Sequence, residues 1–75
     1  MTDFPIESEI AGTVWKIEAA VGDVLEEEDV IMILESMKME IPVLAPEAGT
    51  LVAIHVAPED TVREGQELVT MRPAT

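Results

Sequence analysis

AGTVWKIEAAVGDVLEEEDVIMIL, residues 11–34, overlays AGTLVAIHVAPEDTVREGQELVTM, residues 48–71, without a gap at an offset of 37. Seven positions are identical: Ala11/Ala48, Gly12/Gly49, Thr13/Thr50, Ile17/Ile54, Ala20/Ala57, Asp23/Asp60 and Glu27/Glu64. Apolar residues fall opposite apolar residues between them, in Val14/Leu51, Leu25/Val62, Ile31/Leu68, Met32/Val69 and Leu34/Met71. Two repeats of this length fill nearly the whole chain. A solenoid needs at least three units to bury its faces, so two copies imply the halves of one closed, pseudo-twofold core.

Each half reads as β. AGTVWKI and AGTLVAI are short β-rich runs opened by glycine, which suits a turn or bulge. Turn signals follow at Gly22-Asp23 in the first half, and at Pro58-Glu59-Asp60 and Glu64-Gly65-Gln66 in the second. The apolar run Val30–Leu34 then closes the first half. Short strands broken by Gly and Pro point to an all-β sandwich or barrel. A helix over Val24 to Leu34 competes, because Glu26 to Asp29 tolerate one; the β-branched run and Gly65 in the partner repeat argue against it. Both parities of AGTVWKI carry apolar residues, as expected if bulges bend the strands.

Composition narrows the function. Sixteen acidic residues against four basic ones, Lys16, Lys38, Arg63 and Arg72, leave a net charge of −12. Such a surface repels phosphate backbones and anionic lipid heads, so neither nucleic acid nor membrane is an expected partner. Hydrophobic content of 48% is too high for a disordered acidic tail. There is no cysteine, and His55 is the lone histidine, which removes thiolate chemistry and multi-histidine metal sites. The longest purely apolar run is far short of a membrane helix, and the acidic N-terminus lacks the apolar stretch of a signal peptide. Residues 1–75 are therefore expected to form a single soluble cytoplasmic domain, monomeric on its own. With one tryptophan and one phenylalanine, its core must be aliphatic.

The centre of the chain breaks the local rules. Glu35-Ser36-Met37-Lys38-Met39-Glu40 lies between the β-runs IMIL and IPVL, so a reversal belongs there. Yet it contains no Gly, Pro, Asn or Asp, the residues that make tight turns cheap. Two methionines flank a lysine at the expected tip, and exposed apolar residues at such a place mark function. Lys38 has 37 residues on each side, which suggests a position on or near the pseudo-twofold axis.

Here the chain resembles a known family. Glu35-Ser36-Met37-Lys38-Met39 is similar to the attachment motif of biotin carboxyl carrier domains, within the biotin/lipoyl attachment family. Gly22-Asp23, Ile41-Pro42, Ala45-Pro46 and Gly49-Thr50 match its surroundings, and the likeness runs over about residues 6–72. The resemblance implies a flattened barrel-sandwich hybrid of two four-stranded sheets, with Lys38 on a protruding hairpin. It implies a carrier that is not itself an enzyme, with biotin in amide linkage on Lys38. Such a carrier takes CO2 from a carboxylation site to a transfer site on an acyl-CoA or a 2-oxo acid. The partners it implies are biotin protein ligase and the biotin carboxylase and carboxyltransferase subunits of a carboxylase, such as the acyl-CoA carboxylase of fatty acid metabolism. Two departures stand out: Glu28-Asp29 replaces the usual Gly-Gln kept at Gly65-Gln66, and no thumb insertion is present.

The remaining residues fit a carrier. Met37, Met39, Glu35 and Ser36 are expected to form the surface that ligase or carboxylase recognises, methionine being soft enough to serve several partners. Glu35 and Glu40 could instead be an acid/base pair, but no other catalytic group accompanies them. Glu26 to Asp29 reads as a solvated face, His55 as a surface strand residue and Trp15 as packing. A lipoyl carrier is the nearest rival, although lipoyl domains show Asp-Lys-Ala at the tip. An unmodified adaptor is a second rival, with no need of Met-Lys-Met.

Overall fold

The structure is a computed structural model that describes residues 2–74. Met1 and Thr75, the limits of the expected 1–75 domain, lie outside the described residues. Eight strands follow in order: β1 (Phe4–Glu7), β2 (Gly12–Ile17), β3 (Val24–Leu25), β4 (Val30–Ser36), β5 (Met39–Leu44), β6 (Gly49–Ile54), β7 (Thr61–Val62) and β8 (Glu67–Pro73). No helix occurs among the described residues, and Val24 to Leu34 folds as strand, turn and strand.

The strands form two antiparallel sheets, ordered β1-β8-β6-β3 and β5-β4-β2-β7. Adding 37 to a residue number carries β1 onto β5, β2 onto β6, β3 onto β7 and β4 onto β8, so one sheet order becomes the other. The fold is thus the flattened twofold sandwich that the repeat implies. The repeat also reaches further than the sequence overlay. Phe4-Pro5-Ile6-Glu7 is the counterpart of Ile41-Pro42-Val43-Leu44, and the paired prolines blunt the two long edges.

Both members of every conservative repeat pair are buried: Val14/Leu51, Leu25/Val62, Ile31/Leu68, Met32/Val69 and Leu34/Met71. These ten side chains make most of the layer between the sheets, and Ile6, Ala19 and Ala45 complete it. Bulges explain the mixed parity of the AGT strands. The register slips between Val14 and Lys16 in β2, and between Leu51 and Ala53 in β6. The extra residues, Trp15 and Val52, are repeat counterparts. The bulge turns Trp15 outward, where it is 46% exposed with the Lys16 ammonium 4.9 Å from its ring centroid. Its reading as packing is therefore corrected.

Four turns are built alike. In each, a backbone N–H donates to the side-chain oxygen three residues on: Ala20 to Asp23, Glu26 to Asp29, Ala57 to Asp60 and Arg63 to Gln66. Asp29 does for the first half what Gln66 does for the second. One residue of each turn is left-handed, and glycine and glutamate exchange places between the halves. Gly22 has φ +98° and its counterpart Glu59 +76°; Glu28 has +74° and its counterpart Gly65 +86°. The Glu28-Asp29 departure thus keeps the turn geometry and carries its strain on a glutamate.

A left-handed non-glycine residue costs about 1–2 kcal/mol, and glycine returns about 0.4–1 kcal/mol of that through the unfolded state. Glu28→Gly should therefore raise stability by roughly 0.5–1 kcal/mol. Gly65→Ala should lower it by about 1 kcal/mol, although a Cβ there meets nothing within 4 Å. Urea unfolding midpoints at unchanged m-value measure both; equal midpoints for all three proteins would contradict the strain.

Candidate functional site

The β4–β5 hairpin is fixed from both sides at its root. β4 pairs with β2 on one side and β5 on the other, through Val14↔Leu34↔Ile41 and Thr13↔Glu35↔Glu40. Ser36↔Met39 is the last pair, which leaves Met37-Lys38 as a two-residue loop. Met37 has φ +52° and Lys38 φ +67°. Positive φ at both central positions marks a type I′ turn, whose twist matches that of the flanking strands. Such turns favour Asn-Gly; here two long side chains occupy them, at about 1–2 kcal/mol each.

Gly12 lies beside this root. A Cβ on it would sit 2.6 Å from the Glu35 carbonyl oxygen and 3.4 Å from the Ser36 Cβ, so only glycine lets β2 pass so close to the end of β4. The sequence hints at this through Gly12/Gly49, but nothing in it says what approaches. The left-handed backbone at Met37 and Lys38 is likewise invisible in the residue types. Its one signal is negative: a reversal without turn residues.

The tip side chains are brought together as expected. Lys38 and Glu35 are exposed, Ser36 is partly buried, and Met37 and Met39 are 91% and 64% exposed. The methionines are therefore surface rather than core, unlike Met32 and Met71. Glu35 and Glu40 face each other across the hairpin, where like charges oppose pairing. Among the described residues Lys38 makes no ion pair, whereas Lys16 holds Glu18 at 3.6 Å and Arg72 holds Asp3 at 3.0 Å. His55 is a surface residue just past β6, bonded to Thr70 at 2.8 Å and 3.1 Å from Glu67.

Lys38 does not lie on the twofold axis. The connection 8–11 joins the Glu7 end of one sheet to the Gly12 end of the other, beside the tip. The counterpart connection 45–48 joins the Leu44 end to Gly49, which pairs with Pro73. The tip and the Phe4 and Pro73 ends of β1 and β8 therefore occupy opposite ends of a molecule measuring 37 × 18 × 17 Å. The axis exchanges those two ends; the midpoint of the sequence is not the midpoint of the fold.

Chemically, the tip offers one free primary amine on a flexible stem, held clear of the barrel. An amine can form an amide with a carboxyl group that has been activated elsewhere, displacing the activating group and losing a proton. Carboxylates such as Glu35 and Glu40 are too weak as bases to activate a lysine amine.

A family model described as biotin-requiring enzyme, of the biotin/lipoyl type, matches residues 4–71. The chain is 47% identical over 60 residues to a biotin carboxyl carrier protein of Streptococcus mutans, covering 80% of this chain and 46% of that one. It is 36% identical over 70 residues to a biotin/lipoyl attachment protein of Bacillus subtilis, covering 93% of this chain and 96% of that one. A single-chain, multi-domain long-chain acyl-CoA carboxylase superposes with a TM-score of 0.91 at 28% identity, over 96% of this chain and 7% of that one. The chain thus spans less than half of the streptococcal relative and nearly all of the Bacillus one.

Because Met37 and Met39 touch little of the barrel, Met37→Ala and Met39→Ala should each leave unfolding free energy within about 0.5 kcal/mol of the parent. Met32→Ala, in the core, should cost about 2–5 kcal/mol. Thermal and urea denaturation of the three variants side by side check the contrast.

Proposed function

The chain belongs to the biotin/lipoyl attachment family, and on that premise we propose that residues 1–75 are a single biotin carboxyl carrier domain holding biotin in amide linkage on Lys38. The observation that carries this reading is the two-residue Met37-Lys38 turn, which projects an amine without an ion-pair partner among the described residues from the end of the barrel opposite Phe4 and Pro73. When bound, biotin supplies reversible attachment of CO2 at its ureido ring. The protein supplies no catalysis of its own; its residues position and deliver. Lys38 tethers, the β4–β5 ladder keeps the tether pointing outward, and Met37 and Met39 give an enzyme apolar surface to grip. Tethering raises the local concentration of the cofactor at each partner site, to roughly millimolar for a short flexible link.

The partners in this reading are a biotin protein ligase, which recognises Glu35, Ser36, Met37 and Met39 around the amine, and biotin carboxylase and carboxyltransferase components in the cytoplasm. An acyl-CoA is the acceptor we favour, supported by the match to the acyl-CoA carboxylase. Among the described residues no helix is long and apolar enough to cross a membrane. Biotin is preferred to lipoate because Met-Lys-Met stands where lipoyl domains carry Asp-Lys-Ala.

Coexpression with a biotin ligase should add one biotinyl group to the intact mass, and Lys38→Arg should keep the fold and lose the addition. Avidin binding to that variant would place the site elsewhere. The tip also governs the choice of cofactor, since only residues near the amine can contact the activated acid. Met37→Asp with Met39→Ala should slow biotinylation and speed lipoylation by purified ligases, a discrimination of about 1–3 kcal/mol. Asp also suits the left-handed position better than Met, so folding survives. Unchanged rates with both ligases would mean that the barrel surface selects.

A further inference from the structure

The two long edges of the sandwich, β1 and β5, do not pair with each other. Between them runs a groove of about 310 Å³. One wall is Ile6, Glu7, Glu9 and Ile10; the other is the strand Ile41–Leu44 with Pro46, and Leu34 is at the base. The second wall is the same β5 that leaves the Lys38 tip, and Ile10 lies on the connection that reaches Gly12 beside that tip. We propose that the tip end of this groove is a resting site for the biotin ring carried on Lys38. This rests on the function proposed above.

Reach permits it. The arm from the Lys38 Cα to the ring has about eleven bonds and extends to about 14 Å. Three to four residues of strand put Ile41 and Pro42 at roughly 10–13 Å from Lys38. Chemistry matches as well. The valeryl chain and thioether ring are apolar, as are Ile10, Ile41 and Pro42. The ureido group presents two N–H donors, which the Glu7 and Glu9 carboxylates can accept. The same carboxylates repel any negatively charged form of the ring, so the site suits the neutral cofactor.

The wall is already built. Ser8 is buried, its Oγ–H donates to the Ile10 carbonyl at 2.6 Å, its N–H donates to the Gln66 carbonyl at 2.8 Å, and its own carbonyl accepts from the Gly65 N–H at 2.7 Å. The connection carrying Glu9 and Ile10 is thereby fixed before any ligand arrives, so docking needs little ordering of the protein. A free ring would bind such a shallow groove weakly. A tethered one faces it at an effective concentration in the millimolar range, enough to populate the docked state substantially.

The test compares the unmodified and biotinylated full chain, after mass spectrometry confirms one biotinyl group on Lys38. Nuclear Overhauser contacts are expected from the ring protons to the Ile10 and Ile41 methyls. Avidin should capture the parent about twofold or more slowly than biotinylated Pro42→Glu or Ile10→Ala, because only the undocked fraction reacts. Pro42 is exposed, so that variant keeps the core even if Ile10→Ala disturbs it. Ring contacts confined to residues 36–40, with equal capture rates, would overturn the groove and leave the carrier function standing. Absence of the biotinyl group on Lys38 would overturn both.

Discussion

The structure depends on an exchange of edges between its halves. β3, from the first half, hydrogen-bonds to β6 of the second, and β7 returns the bond on β2. The loops before them repeat it: Gly22 N–H donates to Leu51 and Leu51 N–H to Asp23, while Glu59 N–H donates to Val14 and Val14 N–H to Asp60. Leu51 and Val14 are themselves repeat counterparts at the centre of the core. Neither half alone could cover its apolar face, and a chain of this size has little core to spare. Closure by exchange lets strands of two residues act as full members of a sheet.

That closure explains which features were legible in the sequence. The five conservative pairs all became core because a twofold sandwich demands equivalent burial at equivalent positions, and apolar size survives in such pairs even where identity does not. The turns were legible at Gly22, Pro58 and Gly65, whose chemistry is local. The match of β1 to β5 was not, because Phe4-Pro5-Ile6-Glu7 and Ile41-Pro42-Val43-Leu44 share only the proline. Trp15 was misread because the mixed parity of AGTVWKI points to a bulge without saying which residue the bulge turns outward. The position of Lys38 on the axis was misread for a geometric reason. The repeat carries Ser36 at the root of the tip onto Pro73 at the end of β8, so symmetry pairs the tip with the opposite end of the sandwich rather than fixing it in place.

The candidate site divides labour with the barrel. The acidic charge is spread over the turns and strand faces, where like charges oppose pairing of exposed edges. Among the described residues the tip combines a lysine amine outside any ion pair with exposed apolar side chains. In the function proposed above, a partner would meet an acidic body and an apolar end, which directs its grip to the tip. Recognition of this kind works partly by what the rest of the surface refuses.

The remaining question is why strained residues occupy the turn when Asn-Gly would close it at lower cost. Glycine at both positions would relieve roughly 0.5–1 kcal/mol per residue. It would also open the turn to many backbone conformations, each aiming the lysine differently. A β-carbon at Met37 and Lys38 restricts those alternatives. The β2–β4–β5 ladder, anchored by Leu34 and Val14 in the core, holds the one that remains. The strain is tolerable because it sits at the end of the most firmly paired hairpin in the molecule. In the function proposed above, a ligase that brings this amine to an activated carboxyl would meet a stem whose starting point is already set. Flexibility begins at the lysine side chain, where delivery between sites needs it, and stops at the backbone, where it would only cost orientation.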